Sequence, residues 1–276
     1  MTAGLTRGEF GRGEVRLSYL RGGATGDPVL LLHGLAGSAE ELVPTAAALV
    51  ARHRVTALDQ RGHGHSTRRP ADLSRQAYAD DVIALIDEPV TLVGQSMGAH
   101  TALLVAAARP DLVRALVMLE GGVGGAVDDY PARLGRYFAS WPVPFPDEAA
   151  AAEFLGPKPI TAAWVRDLER RPDGLWPRFD ADIMEAAIRP VADAARWDAW
   201  QRVAAPTLLV RGEHGTVDDG EWDRMLALRP DVERVVVPDA GHDVHLDQPR
   251  AWVTILRDFL DRTGHEKDRS RPVARP

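Results

Sequence analysis

VTLVGQSMGAH, residues 90–100, sets four apolar or β-branched residues before Gly94, holds Ser96 between Gly94 and Gly98, and runs on into the alanine- and leucine-rich segment 97–108. The first part reads as a buried strand and the second as a helix, so the chain must reverse at the serine itself. A turn that sharp strains the backbone of its central residue, and neighbours without a Cβ let strand and helix approach. A serine presented this way is a candidate nucleophile. Its hydroxyl is a poor one at neutral pH, and it needs a base within hydrogen-bond reach that an acid in turn orients.

Outward from this stretch the pattern repeats. Short apolar runs at 29–32, 55–58, 90–93, 116–119, 207–210 and 235–237 read as buried strands, and the segments 40–52, 74–86, 97–108 and 221–228 as helices between them. Strands that are apolar throughout and alternate with helices predict a parallel sheet covered on both faces. The rhythm breaks between Gly121 and about Ala205, where strand-like runs vanish. That interval holds nine of the 20 prolines and five of the seven tryptophans, Trp141, Trp164, Trp176, Trp197 and Trp200. A helical insertion with large aromatics suits the apolar ceiling of a pocket; packing within a small helical subdomain is the alternative.

The 276 residues are 45% hydrophobic, enough for one large domain or a domain with an insertion, and the net charge of -7 disfavours a nucleic-acid partner. The absence of cysteine excludes disulfides, thiolate metal sites and cysteine nucleophiles. No signal-like or membrane-spanning stretch is evident, so the expectation is a cytoplasmic chain with a small-molecule substrate, no membrane partner, no metal and no cofactor. The tail is polar and charged, and is expected to be disordered over 263–276.

Among the histidines, His242 in PDAGHDVHLDQP follows the last strand and precedes the final helix, where a loop can hang over the carboxyl edge of the sheet. His245 is the alternative base. His33 reads as a structural hydrogen-bonding residue. His63 and His65 lack a third ligand at useful spacing for a metal, and Asp59 reads as the residue that ties down their loop.

Four segments in order, LLLHGLAGS (30–38), ALDQRGHGHS (57–66), LVGQSMGAH (92–100) and AGHDVHLDQP (240–249), make the chain similar to α/β-hydrolase fold proteins over roughly residues 15–260. The resemblance implies an α/β class with a mostly parallel eight-stranded sheet, helices on both faces and a helical cap inserted after strand six. The expected division is a core of 1–121 and 206–262 with a cap of 122–205. The resemblance also implies an oxyanion hole from the amides of Leu35 and Met97. Trp164, Trp176, Trp197 and Val123 are the expected lining of the pocket.

In most members of this family the acid closes a G-x-x-D pattern after the strand before the histidine. Here TLLVRGEHGTVDDGEW puts Gly215 in that place. Asp219 or Asp218 could reach back, although Asp218 with Glu221 also reads as a helix cap. Glu120 ends the strand 116–119, beside the serine strand. Haloalkane dehalogenases and zearalenone-type lactonases carry an acid at that place, and the resemblance selects Glu120. The glycines 121, 122, 124 and 125 give the cap a flexible root.

The expected function is hydrolysis of an uncharged, fairly apolar carboxylic ester or lactone through an acyl-enzyme. Carbon–carbon or thioester hydrolysis, lyase or cofactor-free oxygenase chemistry, and a hydrolase-fold binding protein with little turnover stay open.

Overall fold

Leu30 and Leu32 point to one face of their strand, and Val29 and Leu31 to the other; all four are buried. That alternation explains why the strands read as continuous apolar runs: each face meets its own layer of helices. The computed structural model describes residues 4–126 and 128–269. Its strands are β1 (Thr6–Arg12), β2 (Val15–Gly22), β3 (Pro28–Leu32), β4 (Arg54–Leu58), β5 (Val90–Gln95), β6 (Val113–Leu119), β7 (Glu169–Arg171), β8 (Gly174–Trp176), β9 (Thr207–Gly212) and β10 (Glu233–Val237). Eight of them form one sheet in the order β1-β2-β4-β3-β5-β6-β9-β10. From β4 to β10 neighbouring strands are parallel, whereas β1 and β2 form an antiparallel edge.

The core helices are α1 (Val43–Leu49), α2 (Arg75–Leu85) and α3 (Met97–Ala108). Between β6 and β9 come α4 (Tyr130–Ala139), α5 (Glu148–Leu155), α6 (Pro159–Asp167), α7 (Ala181–Ala192) and α8 (Trp197–Arg202). After β9 follow α9 (Asp219–Leu228), α10 (Val244–Asp247) and α11 (Pro249–Arg269). Side chains of α2, α3 and α9 share one apolar cluster with Leu30, Leu92 and Met118. Residues of α1 and α11, among them Leu49, Trp252 and Phe259, share the other with Val29, Val93 and Val117. The chain is therefore wound on both faces of its sheet.

Within 122–205, α4 packs on α7 and α5 on α6. Phe138, Trp141, Phe145 and Phe179 form an aromatic cluster there, which Trp164 joins at 5.3 Å from the Trp141 ring. This cluster includes Ala36, so it reaches down to the loop after β3.

Three features depart from the expectations. The strands β7 and β8 form a short antiparallel hairpin inside the interval read as purely helical; its charged Glu-Arg-Arg strand gives no apolar signal, and the Phe145 and Leu175 backbones bridge it to the segment before α5. The helix α11 runs to Arg269, into the segment expected as a disordered tail, while residues 270–276 lie outside the described residues. The third is α8, whose Trp200 is buried in the sheet-side core with Nε1 donating to the Met225 carbonyl at 2.9 Å. Trp197 packs on that same cluster under the Arg224 guanidinium, 3.9 Å from the ring, and not with the aromatics above the sheet. No helix among the described residues is long and apolar enough to cross a membrane.

Candidate active site

Ser96 has φ +52 and ψ -118, a conformation rare for a residue with a side chain. The local packing imposes it. A Cβ on Gly94 would lie 2.3 Å from the Gly98 carbonyl oxygen, and one on Gly98 would lie 2.4 Å from that of Leu32. The end of β5 and the start of α3 are thus in backbone contact, and the serine takes the strain of joining them. Its amide donates to the Leu119 carbonyl at 2.9 Å and its carbonyl accepts from the His100 amide at 3.1 Å, which fixes the turn to β6 and to α3.

The loop after β3 lies against this turn: a Cβ on Gly34 would come within 3.3 Å of Ser96 Cβ. Buried His33 sets its orientation. The Gln60 amide donates to His33 Nε2 at 3.0 Å, so the proton sits on Nδ1, which donates to the Gly34 carbonyl at 2.7 Å. The Gly37 amide donates to the same oxygen at 3.2 Å. In a planar trans peptide the N–H points opposite to the C=O, so the Leu35 N–H is turned away from His33. Burial holds the His33 pKa below its usual value, keeping the ring neutral. His33 is thus a structural residue, as its sequence context suggests. Asp59 accepts from the amides of Ala39 and His65 and from Arg7, tying the two neighbouring loops together.

Glu120 follows β6 at φ +48, and its amide donates to the Val210 carbonyl of β9 at 2.8 Å. Its side chain is fully buried. One oxygen, Oε1, accepts from the Gly212 amide at 2.7 Å; Oε2 accepts from the Thr216 amide at 2.9 Å and lies 3.2 Å from His242 Nδ1. Burial alone would raise the carboxyl pKa, but the hydrogen bonds from His242 and the two amides outweigh it and hold Glu120 below the usual carboxylate range. Thr216 Oγ1 also stands 2.8 Å from His242 Nδ1. Sequence reasoning passed over Thr216, because a threonine in a loop carries no pattern that marks it as a histidine partner.

For His242, burial lowers the pKa, but the hydrogen bond to Glu120 and the charges of Asp243, Glu120 and Glu41 together raise it above its ordinary value. A third of its side chain remains exposed. Its loop is held by Gln95 Nε2, which donates to the His242 carbonyl at 3.3 Å, and by Asp247, which accepts from the Gly241 amide at 2.9 Å. Gln95 neighbours Ser96 in the chain, so this bond draws the histidine loop to the elbow.

The other candidates are engaged elsewhere. Asp218 caps α9 by accepting from the Glu221 amide at 3.1 Å, and Asp219 is highly exposed and paired with Arg211 at 2.6 Å. Glu221 reaches the root of the insertion, accepting from the Val123 amide at 2.7 Å. Buried Val123 packs with the sheet-side core. His245 is buried and paired with Glu41 at 2.9 Å. Trp164 is half-buried among the aromatics, whereas Trp176 lies on the hairpin, bonded to Asp173 at 3.0 Å and stacked with Arg171. His63, fully buried, has its pKa lowered to about 3, and its Nδ1 donates to the Arg61 carbonyl at 2.9 Å. Glu213, His214 and Asp239 bring ligand-type atoms within 4.8 Å of one another, but all three are exposed and the Asp239 amide occupies Glu213.

Leu35 and Met97 meet in one apolar cluster with Tyr78, Leu134, Ile188 and Val191. This cluster lies between the elbow and the helices α4 and α7 of the insertion. On the loop side, α6 ends at Asp167, beside Ser38 and 3.5 Å from Arg178. Burial pushes the Asp167 carboxyl up to about 7. A surface cleft lined by Pro28, Arg54, Glu88 and Val90 lies at the amino ends of β3, β4 and β5. That is the wrong edge: in such sheets ligands bind at the carboxyl ends, where Ser96 and Glu120 sit.

The chain matches the model of the Alpha/beta hydrolase family over residues 29–255. It is 31% identical over 263 residues to the sn-1-specific diacylglycerol lipase of Mus musculus, covering 88% of this chain and 85% of that protein. It is 30% identical over 267 residues to the 2-(acetamidomethylene)succinate hydrolase of Mesorhizobium japonicum, covering 90% and 93%. The crystal structure of an E-2-(acetamidomethylene)succinate hydrolase superposes with a TM-score of 0.85 at 26% identity, covering 93% of this chain and 99% of that one. With its doubly wound eight-stranded sheet and its strained Gly-x-Ser-x-Gly turn, the chain belongs to the alpha/beta hydrolase family.

Proposed function

We propose that the protein is a serine hydrolase that cleaves a carboxylic ester or lactone of a small, mainly apolar molecule. The observation that carries this reading is the contact of Glu120 Oε2 with His242 Nδ1 at 3.2 Å, on a loop drawn to the Ser96 elbow by Gln95. The relatives support it with their own activities, one being a diacylglycerol lipase and another an esterase of Escherichia coli.

In this mechanism Ser96 Oγ attacks the substrate carbonyl while His242 Nε2 takes its proton. Glu120 keeps the Nδ1 proton in place and stabilises the imidazolium. The amides of Leu35 and Met97 hold the developing oxyanion; losing one such donor costs about 3–4 kcal/mol. His242 then protonates the departing alkoxide, which leaves as the alcohol or, in a lactone, stays tethered to the acyl chain. A water deprotonated by His242 next attacks the acyl-enzyme, and Ser96 regains its proton as the carboxylic acid leaves.

The test is steady-state hydrolysis of short-chain 4-nitrophenyl esters and simple lactones by the wild type and Ser96→Ala. The reading predicts turnover by the wild type and a loss of about 10³-fold or more in the variant. Activity retained in Ser96→Ala would point to direct deprotonation of substrate by His242 and overturn the serine mechanism.

A further inference from the structure

Three arginines are buried among the described residues: Arg61, Arg75 and Arg229. Arg61 is paired with Asp81 at 2.6 Å and Arg229 reaches Asp231 at 3.1 Å. Arg75 has no carboxylate partner among the described residues. Its Nη2 donates to the Met97 carbonyl at 3.2 Å and to Thr101 Oγ1, while Nε and Nη1 are buried with no partner. Besides those two acceptors, its charge is steadied by the Tyr78 ring, 4.3 Å from Cζ, and by nearby Tyr130. Burial lowers its pKa to about 10, and nearby Arg196 pushes the same way, so the guanidinium is still charged at neutral pH. Arg196 also has a buried, unpartnered Nε. His100 is 1% exposed; its ring lies against the Val123 backbone, and neither nitrogen reaches a partner with good hydrogen-bond geometry.

Leaving a charge buried and unpaired is strongly unfavourable, and Arg61, paired with Asp81, shows how this chain pairs an arginine that serves the fold. Two arginines and an imidazole gathered around Val123, whose carbonyl accepts from the Arg196 amide at 2.8 Å, with no carboxylate in contact with them among the described residues, is the inverse arrangement; the nearby Glu221 carboxylate is engaged by the Val123 amide. The gathering is also next to the elbow. Met97 and Thr101 lie on the first two turns of α3, the His100 amide donates to the Ser96 carbonyl, and a Cβ on Gly124 at the root of the insertion would lie 3.1 Å from His100 Nε2.

We propose that Arg75, Arg196 and His100 form an anion subsite of the same active site, which receives a carboxylate carried by the substrate away from the reacting carbonyl. The inference rests on the hydrolase reading and narrows it: the substrate is a monoanion with an otherwise apolar body, in place of the uncharged molecule expected from the sequence. A carboxylate accepts hydrogen bonds from the free guanidinium nitrogens and supplies the missing countercharge.

The test reads binding without turnover, by calorimetry on Ser96→Ala with monomethyl glutarate and with dimethyl glutarate, which differ by one charge. The monoanion is expected to bind about tenfold or more tighter, the size of a charged hydrogen bond. Adding Arg75→Met should abolish that preference and Arg75→Lys should keep part of it. Arg196→Met, at a partly exposed position, should lower it as well and serves if Arg75→Met does not fold. Equal binding of the two esters by Ser96→Ala, or a preference unchanged in the folded arginine variants, overturns the subsite. So does chloride competing as strongly as the monoanion, since that marks a site for any small anion. A wild type that cleaves no ester while the monoanion preference holds would sink the hydrolase reading and spare the subsite.

Discussion

The Glu120 carboxylate fills the space that a side chain at Gly215 would need: a Cβ on Gly215 would stand 1.9 Å from Glu120 Oε1. The two positions therefore exclude each other as sources of the acid. Glu120→Gln is expected to lower kcat by about 10³–10⁴-fold, since the amide no longer fixes the tautomer or steadies the imidazolium, while Asp219→Asn changes it little. Gly215→Asp alone should also be inactive or unstable, because two carboxyl groups compete for one space. Combined with Glu120→Gly, it should regain activity relative to Glu120→Gly alone. Steady-state ester hydrolysis across this double-mutant cycle measures the coupling, and additive losses would contradict it.

Thr216 touches both members of the pair, its amide on Glu120 and its hydroxyl on His242 Nδ1. Thr216→Val keeps the shape and the amide but removes the hydroxyl, and should lower kcat by about tenfold, the worth of one hydrogen bond of about 1 kcal/mol or slightly more. Thr216→Ser should restore it. KM is expected to move little in either variant, which separates a role in orienting the histidine from one in holding substrate.

The pH profile follows from the charges around His242. In the proposed mechanism His242 must be neutral to act as the base; burial lowers its pKa, but the hydrogen bond to Glu120 and the charges of Asp243, Glu120 and Glu41 outweigh that and hold it above the ordinary value. The acid limb of kcat/KM should therefore lie above about pH 6.5. Removing the anion by Glu120→Gln should shift that limb to lower pH while the plateau falls. An acid limb at or below 6.5 in the wild type would contradict this account of the site.

Asp167 joins the end of α6 to the Ser38 loop at some expense of stability. Its folded pKa of about 7 lies above the ordinary 3.8, so the folded state holds its proton longer than the unfolded chain. The stability associated with the protonated form is full below about pH 4, declines between 4 and 7, and is absent above 7. Asp167→Asn should remove this slope and raise stability at pH 8 by about 2–4 kcal/mol, as read by urea denaturation. A variant less stable than the wild type at pH 8 would show that the Arg178 contact outweighs burial.

Much of the core was legible because its chemistry leaves periodic marks. The parallel strands β3, β5, β6 and β9 show as apolar runs, since burial on both faces removes the polar residues, whereas the edge strand β10 shows only as Val235–Val237, with Val236 exposed. Ser96 shows through Gly94 and Gly98, which the backbone contact at the elbow requires, and His242 through its place between the last strand and the last helix. Glu120 became the candidate acid through the glycine at 215 together with the family resemblance. The antiparallel edge strands β1 and β2 left no such run: β1 reads TRGEFGR and is largely exposed or half-buried. Trp197 was misplaced because a tryptophan reads the same under a cap and beside a core helix; the chain returns to the sheet before β9, at α8. Arg75 went unnoticed for a similar reason, as a charge near a helix start reads as solvent-facing until the packing of Tyr78 and Thr101 around it is known.

The central claim is that Ser96 is the nucleophile, activated by His242. Intact-mass spectrometry after reaction with a fluorophosphonate measures this directly. The wild type should gain one covalent adduct, mapped to Ser96; Ser96→Ala should gain none, and His242→Ala should gain it far more slowly. A wild type left unmodified, or an adduct that persists in Ser96→Ala, would contradict the account.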